Sequence, residues 1–120
     1  MKLDNMRKNT DKAQEKDYLW ENLIRLPSFR AFLRAVEGRF YKDIGLKAPV
    51  LDVGCGDGIF AEITFDKKID IGFDPSFQIL QEPANQQAYE YLLCAGGAGI
   101  PFPDAYFATV ISNSVLEHIP

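Results

Sequence analysis

The sequence predicts an α/β fold, in which a doubly wound, mostly parallel sheet carries helices on both faces. Short apolar runs rich in β-branched residues alternate along the chain with segments of helical periodicity. A glycine-rich turn follows the first of these runs, and an acidic residue ends the second. With 120 residues and 47% hydrophobic content, the chain can bury one modest core.

The N-terminal part of the chain precedes the predicted sheet. Residues 1–16 are charged and polar without apolar periodicity, which predicts a flexible tail, and residues 17–48 predict a helical segment. One helix is expected to run from Asp17 to Pro27, and a second to begin at Ser28. The second helix carries a single apolar stripe, which we expect to pack on the sheet. The stripe consists of Phe29, Phe32, Leu33, Val36 and Phe40.

Residues 49–120 predict the sheet itself, as one half of a doubly wound domain. The expected strands are 49–53, 69–73, 89–94 and 106–112, with short helices over 58–65 and 76–81. Pro83 and the polar residues behind it argue against a helix beyond Glu82, and the glycines and prolines of 95–104 predict a loop. We interpret the chain as truncated after the fourth strand, where Val115 begins another helical pattern.

The glycine loop, residues 52–58, is the most informative segment. Gly54, Gly56 and Gly58 permit positive φ angles and a close approach of the backbone N–H groups to a ligand. The spacing from Gly56 to Ala61 also satisfies the dinucleotide fingerprint GxGxxA, so the glycines alone do not choose the cofactor.

The carboxylates of this region favour a positively charged cofactor. Asp52 and Asp57 flank the place where a dinucleotide would put its pyrophosphate, and that repulsion is costly in a partly dry pocket. A ligand with a sulfonium and an ammonium would be attracted there, while its carboxylate accepts hydrogen bonds from the loop. Asp74, at the end of the second strand, is suited to accept hydrogen bonds from two ribose hydroxyls, or alternatively to cap the helix ahead of Ser76.

Three segments together resemble the class I S-adenosylmethionine-dependent methyltransferases. Residues 50–58 resemble motif I of that family and residues 71–74 its second motif, while 99–119 resemble the loop, fourth strand and helix entry of the type 11 members. The resemblance implies a Rossmann-like fold with S-adenosylmethionine as cofactor, and it places Asn113 beside the methionine portion. The cofactor-binding residues it implies are Asp52, Gly54, Gly56, Gly58 and Asp74.

The chain departs from the family pattern where relatives have an acidic residue for the adenine amino group. Ala95, Gly96 and Gly97 stand there instead. We expect the backbone of Gly96 and Gly97 to bond the adenine, and a flexible turn is the alternative.

Methyl transfer from a sulfonium is an in-line displacement that needs alignment above all, so a base is optional. His118 is the only histidine and the candidate base, with Glu117 as a second candidate and an ordinary helix surface as the alternative interpretation. We expect a small-molecule methyl acceptor. Four residues before the first strand are candidates to face its cavity, although a solvated helix face is the interpretation we favour for them: Arg30, Arg34, Glu37 and Tyr41.

Composition narrows the partners further. The net charge of −4 argues against nucleic acid, and no apolar stretch predicts a membrane anchor. Cys55 and Cys94 lack metal-ligand spacing, which favours reduced thiols, no bound metal and a cytoplasmic protein. Two other functions remain open at this point: a non-catalytic fragment that only binds the cofactor, and an NAD(P)-dependent oxidoreductase.

Overall fold

The computed structural model describes residues 16–113, apart from the side chain of Ser28. Most of the predicted N-terminal tail and the predicted helix entry after Asn113, including Glu117 and His118, lie outside these residues. Within them, four parallel strands form one sheet in the order β3-β2-β1-β4. The predicted α/β fold is therefore confirmed.

The elements follow one another with short connections. The helices are α1 (Tyr18–Leu23), α2 (Ser28–Tyr41), α3 (Ile59–Thr64), α4 (Phe77–Leu80) and α5 (Pro83–Ala88). The strands are β1 (Val50–Val53), β2 (Ile69–Asp74), β3 (Tyr89–Cys94) and β4 (Thr109–Ile111). No helix among residues 16–113 is long and apolar enough to cross a membrane.

The fourth strand is shorter than the predicted range 106–112. Tyr106 and Phe107 leave the ladder because they pack with Phe102, at ring-centroid distances of 5.6 and 5.0 Å. The backbone N–H groups of Ala108 and Thr109 then donate to the carbonyl of Pro49, where the pairing with β1 begins.

The expectation that no helix continues beyond Glu82 was wrong, because α5 spans Pro83–Ala88. Pro83 occupies the start of this helix, where its missing N–H costs no hydrogen bond and its fixed φ suits the helix. The buried side chains of Asn85 and Ala88 hold the helix against the sheet region.

The core has a layer on each face of the sheet. On one face, Ala61 of α3 and Ala88 of α5 pack in a cluster with one residue from each of the four strands: Val50, Ile69, Tyr89 and Ile111. On the other face, the main buried residues are Leu51, Val53 and Phe73, and Phe107 from the connection before β4 packs against them.

The predicted packing of the α2 stripe was wrong. Its five side chains are exposed, from 40% for Val36 to 77% for Phe29. The opposite side of α2 is buried instead: Ala31 is 0% and Ala35 3% exposed, and Ala35 packs with Tyr18 and Ile63. Small residues let α2 lie close to α1 and α3, so the helix turns its small side inward rather than its aromatic one.

Candidate cofactor site

A cleft of about 630 Å³ opens where β1 and β2 end, between the glycine loop and α2. Crevices beyond the carboxyl ends of parallel strands are the usual ligand sites of open α/β sheets. The polar and glycine residues that line it are Arg30, Arg34, Asp52, Gly54, Cys55, Gly56, Asp57, Asp74, Glu82, Tyr89 and Asn113. The apolar residues are Leu26, Ile59, Phe60, Ala61 and Ile79.

The glycine loop has the left-handed backbone that its composition predicts. The φ angles of Gly54, Gly56 and Gly58 are 72°, 60° and 81°. The N–H groups of Gly54 and Cys55 donate to the carbonyl of Phe73, at 2.8 and 2.9 Å. These N–H groups therefore hold the loop to β2 and are not offered to a ligand, contrary to the expectation from the sequence.

Gly58 lies behind the cleft rather than in its lining. It is buried, and a Cβ there would come within 2.4 Å of Oδ1 and 2.7 Å of the backbone N of Asn85. Glycine is needed at this position both for the positive φ and for the contact between the loop and α5.

Asp74 lines the cleft at the end of β2. Its Oδ2 accepts a hydrogen bond from the N–H of Gly56 at 3.2 Å, and its Oδ1 accepts one from the N–H of Ser76 at 2.9 Å. The hydroxyl of Ser76 caps α4 by accepting from the N–H of Ile79, so the capping role belongs to Ser76. Each carboxylate oxygen of Asp74 has a further lone pair for a ligand hydroxyl.

Asp52 and Tyr89 form a buried pair beside the loop. The Tyr89 hydroxyl donates to Oδ2 of Asp52 at 2.5 Å, and the Tyr89 ring lies so close to Gly72 that a Cβ there would be 2.7 Å from Cδ1. Burial raises the pKa of Asp52 to about 6; the Tyr89 hydrogen bond opposes this rise and the charge of Asp74 adds to it. Sequence patterns did not indicate Tyr89, because 37 residues separate it from Asp52.

The opposite wall of the cleft is formed by α2 and the end of β4. A guanidinium nitrogen of Arg34 donates to Oε2 of Glu37 at 2.8 Å, and Nδ2 of Asn113 donates to the same oxygen at 3.1 Å. The Arg34 guanidinium also lies 5.5 Å from the ring centroid of Phe60. Arg30, Arg34 and Asn113 line the cleft, so the predicted site residue Asn113 does lie at it.

Several other sequence-predicted residues lie away from the cleft. Gly96 and Gly97 are exposed and are not part of its lining, where Ile79 and Glu82 stand instead. Tyr41 packs edge-on against Phe60 and Phe65, at centroid distances of 5.9 and 5.3 Å.

Cys55 lines the cleft without the properties of a nucleophile. Burial, together with nearby carboxylates, raises the pKa of its thiol, which therefore stays protonated. Within residues 16–113, no group of three or more histidine, cysteine, aspartate or glutamate side chains is placed to hold a metal ion.

Comparison with known proteins identifies the family to which the chain belongs. The family model described as a methyltransferase domain matches residues 51–120. The chain is 37% identical over 71 residues to the 18S rRNA (guanine-N(7))-methyltransferase bud23 of Schizosaccharomyces pombe. That match covers 57% of the chain and 26% of the relative, so the chain spans about a quarter of that relative's length. No solved structure matched the chain.

The expectation that excluded nucleic acid was wrong, because a chain of net charge −4 matches an enzyme named for rRNA. Net charge reports on binding to phosphates over the whole surface, whereas an enzyme that reads one base in a pocket depends on local contacts. The matched region includes the glycine loop, Asp74 and Asn113. The chain therefore belongs to the methyltransferase domain family, as a class I S-adenosylmethionine-dependent member.

Proposed function

We propose that the cleft binds S-adenosylmethionine and that the chain serves methyl transfer to a nucleobase nitrogen of RNA. The observation that supports this cofactor is the arrangement of charged side chains around the cleft. Asp52, Asp57 and Asp74 line one side of the cleft, and Arg30 and Arg34 line the other. A ligand with a positive sulfur, an ammonium and a carboxylate matches both sides, because each of its charges finds an opposite one.

The ribose would be held by Asp74, whose two oxygens are fixed by Gly56 and Ser76. The carboxylate of the methionine end would be held by Arg34, because the N–H groups of Gly54 and Cys55 are already used. The ammonium would be held on the negative side of the cleft, by Asp52 and Asp57. When bound, the cofactor supplies an electrophilic methyl group on a positively charged sulfur.

The same arrangement disfavours NAD(P). The pyrophosphate would lie beside Asp52 and Asp57, and the two loop N–H groups that donate to Phe73 would not be available to it. The oxidoreductase alternative therefore lacks two of the loop donors that the dinucleotide fingerprint uses.

The acceptor is proposed from the rRNA relative and from the chemistry of methyl transfer. The lining within residues 16–113 contains no histidine or lysine, and among its carboxylates Asp52 is buried and already accepts a hydrogen bond from Tyr89. Guanine N7 has a free lone pair and needs no deprotonation before it attacks a methyl group. An acceptor of this kind requires only alignment and a pocket for a base taken out of its stack.

Calorimetry on the 120-residue chain tests the cofactor. We expect S-adenosylmethionine and S-adenosylhomocysteine to bind and NAD to give no heat. Binding of NAD alone would overturn the proposal, as would the absence of binding by both methionine ligands.

Transfer of radiolabelled methyl groups tests the acceptor. We expect label in an RNA transcript, recovered as N7-methylguanosine after digestion, and none in a matched transcript made with 7-deazaguanosine. Label in small metabolites alone would establish the small-molecule acceptor that the sequence suggested. Cofactor binding without any transfer would identify a non-catalytic binding chain.

A further inference from the structure

We propose that Asn85 is a positioning residue, which turns the peptide between Gly56 and Asp57 so that the Asp57 N–H faces the cleft and donates to a bound ligand. Asn85 lies on α5 and is 0% exposed. Its Nδ2 donates to the carbonyl of Gly56 at 2.9 Å and to the carbonyl of Ile79 at 3.1 Å. Both of its amide hydrogens are thus used on backbone oxygens.

These two carbonyls belong to different walls of the same cleft. Gly56 and Ile79 line it, whereas Asn85 does not. The Asn85 side chain therefore lies behind the cleft and ties the glycine loop to the end of α4. It draws the Gly56 carbonyl away from the ligand space.

The hydrogen bond from Asn85 to the Gly56 carbonyl also orients the N–H of Asp57, because the peptide between Gly56 and Asp57 is planar and trans. In such a peptide the C=O and the following N–H point in opposite directions. Because the Gly56 carbonyl points to Asn85, the Asp57 N–H points away from Asn85, and Asp57 lines the cleft. Among the described residues, the Asp57 N–H donates to no acceptor, unlike the N–H groups of Gly54, Cys55 and Gly56.

Hydrogen bonds and close packing around Asn85 hold the peptide between Gly56 and Asp57 in this orientation. The Gly56 N–H is bonded to Asp74 and the Gly56 carbonyl to Asn85, so both sides of a residue with left-handed backbone are held. A Cβ on Gly58 would lie 2.4 Å from Oδ1 of Asn85, so the loop packs closely against α5 at this point. Oδ1 of Asn85 is buried without a partner in the described region, which disfavours folding, so the amide is not an optimal purely structural choice.

Asn85→Ala tests the tie, with Gln86→Ala on the exposed side of α5 as the matched control. At a temperature where all chains are folded, we expect the Kd for S-adenosylhomocysteine to rise about tenfold in N85A, because one oriented hydrogen bond is lost. In Q86A we expect the Kd to rise less than about twofold. Hydrogen exchange at residues 54–58 should accelerate in N85A, while exchange in β1 and β3 stays unchanged. Unchanged affinity together with unchanged loop exchange would overturn the proposal.

Two further measurements test the proposal. The first uses a second variant and needs no cofactor, and the second uses the unmutated chain. Asn85→Asp keeps the shape and removes the donor, and should reproduce the faster loop exchange. In the unmutated chain, the Asp57 amide resonance should shift on addition of S-adenosylhomocysteine; no shift, with other loop resonances moving, would also overturn the proposal. The donor role rests on the proposed function, but the exchange measurement does not. If no ligand bound, the proposed cofactor would be ruled out, and the exchange data would still show whether Asn85 holds the glycine loop.

Discussion

The two walls of the cleft differ in charge and in how they are held. The loop wall, formed by Asp52, Asp74 and the glycine loop, is negative, and backbone hydrogen bonds join it directly to β2. The α2 wall, formed by Arg30 and Arg34, is positive. Its position depends on side-chain pairs and on how α2 packs against its neighbours.

This difference separates two tasks. The loop wall takes its geometry from strand ends, so substitutions there should change ligand affinity. The α2 wall takes its position from small residues packed against α1 and α3, so it is sensitive to packing. Its exposed aromatic side should be far more tolerant than its small buried side.

The largest expected effect lies on the loop wall. Asp74→Asn keeps the size of the side chain but removes the charge that accepts from Gly56, from Ser76 and from the proposed ribose. Loss of charge-assisted hydrogen bonds should weaken S-adenosylhomocysteine binding by about 30- to 100-fold in calorimetry. Asp104→Asn, in an exposed part of the chain, is the control and should leave affinity unchanged.

The next largest effect concerns the packing of α2 against the neighbouring helices. Ala35 is 3% exposed, so Ala35→Leu should overpack the contact with Tyr18 and Ile63 and lower the free energy of unfolding by about 1–3 kcal/mol. Phe32 is 56% exposed, and Phe32→Ala should change it by less than about 0.5 kcal/mol. Urea unfolding measures both; a larger loss for F32A would contradict the exposed orientation of the stripe.

The third prediction uses the raised pKa of Asp52, which is about 6. A cationic ligand that prefers the ionised carboxylate should bind about tenfold more tightly at pH 7 than at pH 5. Asp52→Asn should flatten this profile, and Tyr89→Phe should move its midpoint to higher pH, because the Tyr89 hydrogen bond lowers the pKa of Asp52. A profile of unmutated chain without this slope would contradict the role of Asp52.

The same pKa predicts how the stability of the unliganded chain depends on pH. The pKa of Asp52 in the folded state is raised from its ordinary value of 3.8 to about 6, so the folded state binds more protons than the unfolded state between these two pH values. This contribution to the free energy of unfolding is present below about pH 4 and is lost as the pH rises through about 6.

The smallest effect sharpens the role of the α2 wall. Arg34→Met should weaken S-adenosylhomocysteine binding about fivefold, by removing one partly exposed charge pair, and leave 5′-methylthioadenosine binding unchanged, because that ligand has no carboxylate. Arg39→Met, on the same helix but outside the cleft lining, is the control. Equal losses for both ligands in R34M would mean that Arg34 supports the fold rather than the amino-acid end.

The backbone of the loop wall could be predicted from the sequence, but the partners of Asp52 and of the loop N–H groups could not. The alternation of strands and turns, the three glycines and the acid at the end of β2 are local signals with fixed structural meaning. The α2 wall was predicted less well, because a stripe of large apolar residues does not reveal whether small residues on the other side of the helix make the closer contact.

The sequence by itself determined the parallel α/β fold, the left-handed loop and the place of Asp74 at its strand end, because each depends on neighbouring residues. Only the tertiary structure decided the partners of Asp52 and of the loop N–H groups, since these bonds join residues far apart in the chain. It also decided that Asn85, on a helix the sequence did not predict, holds the Gly56 carbonyl. Those long-range contacts determine which donors of the loop remain available to a ligand.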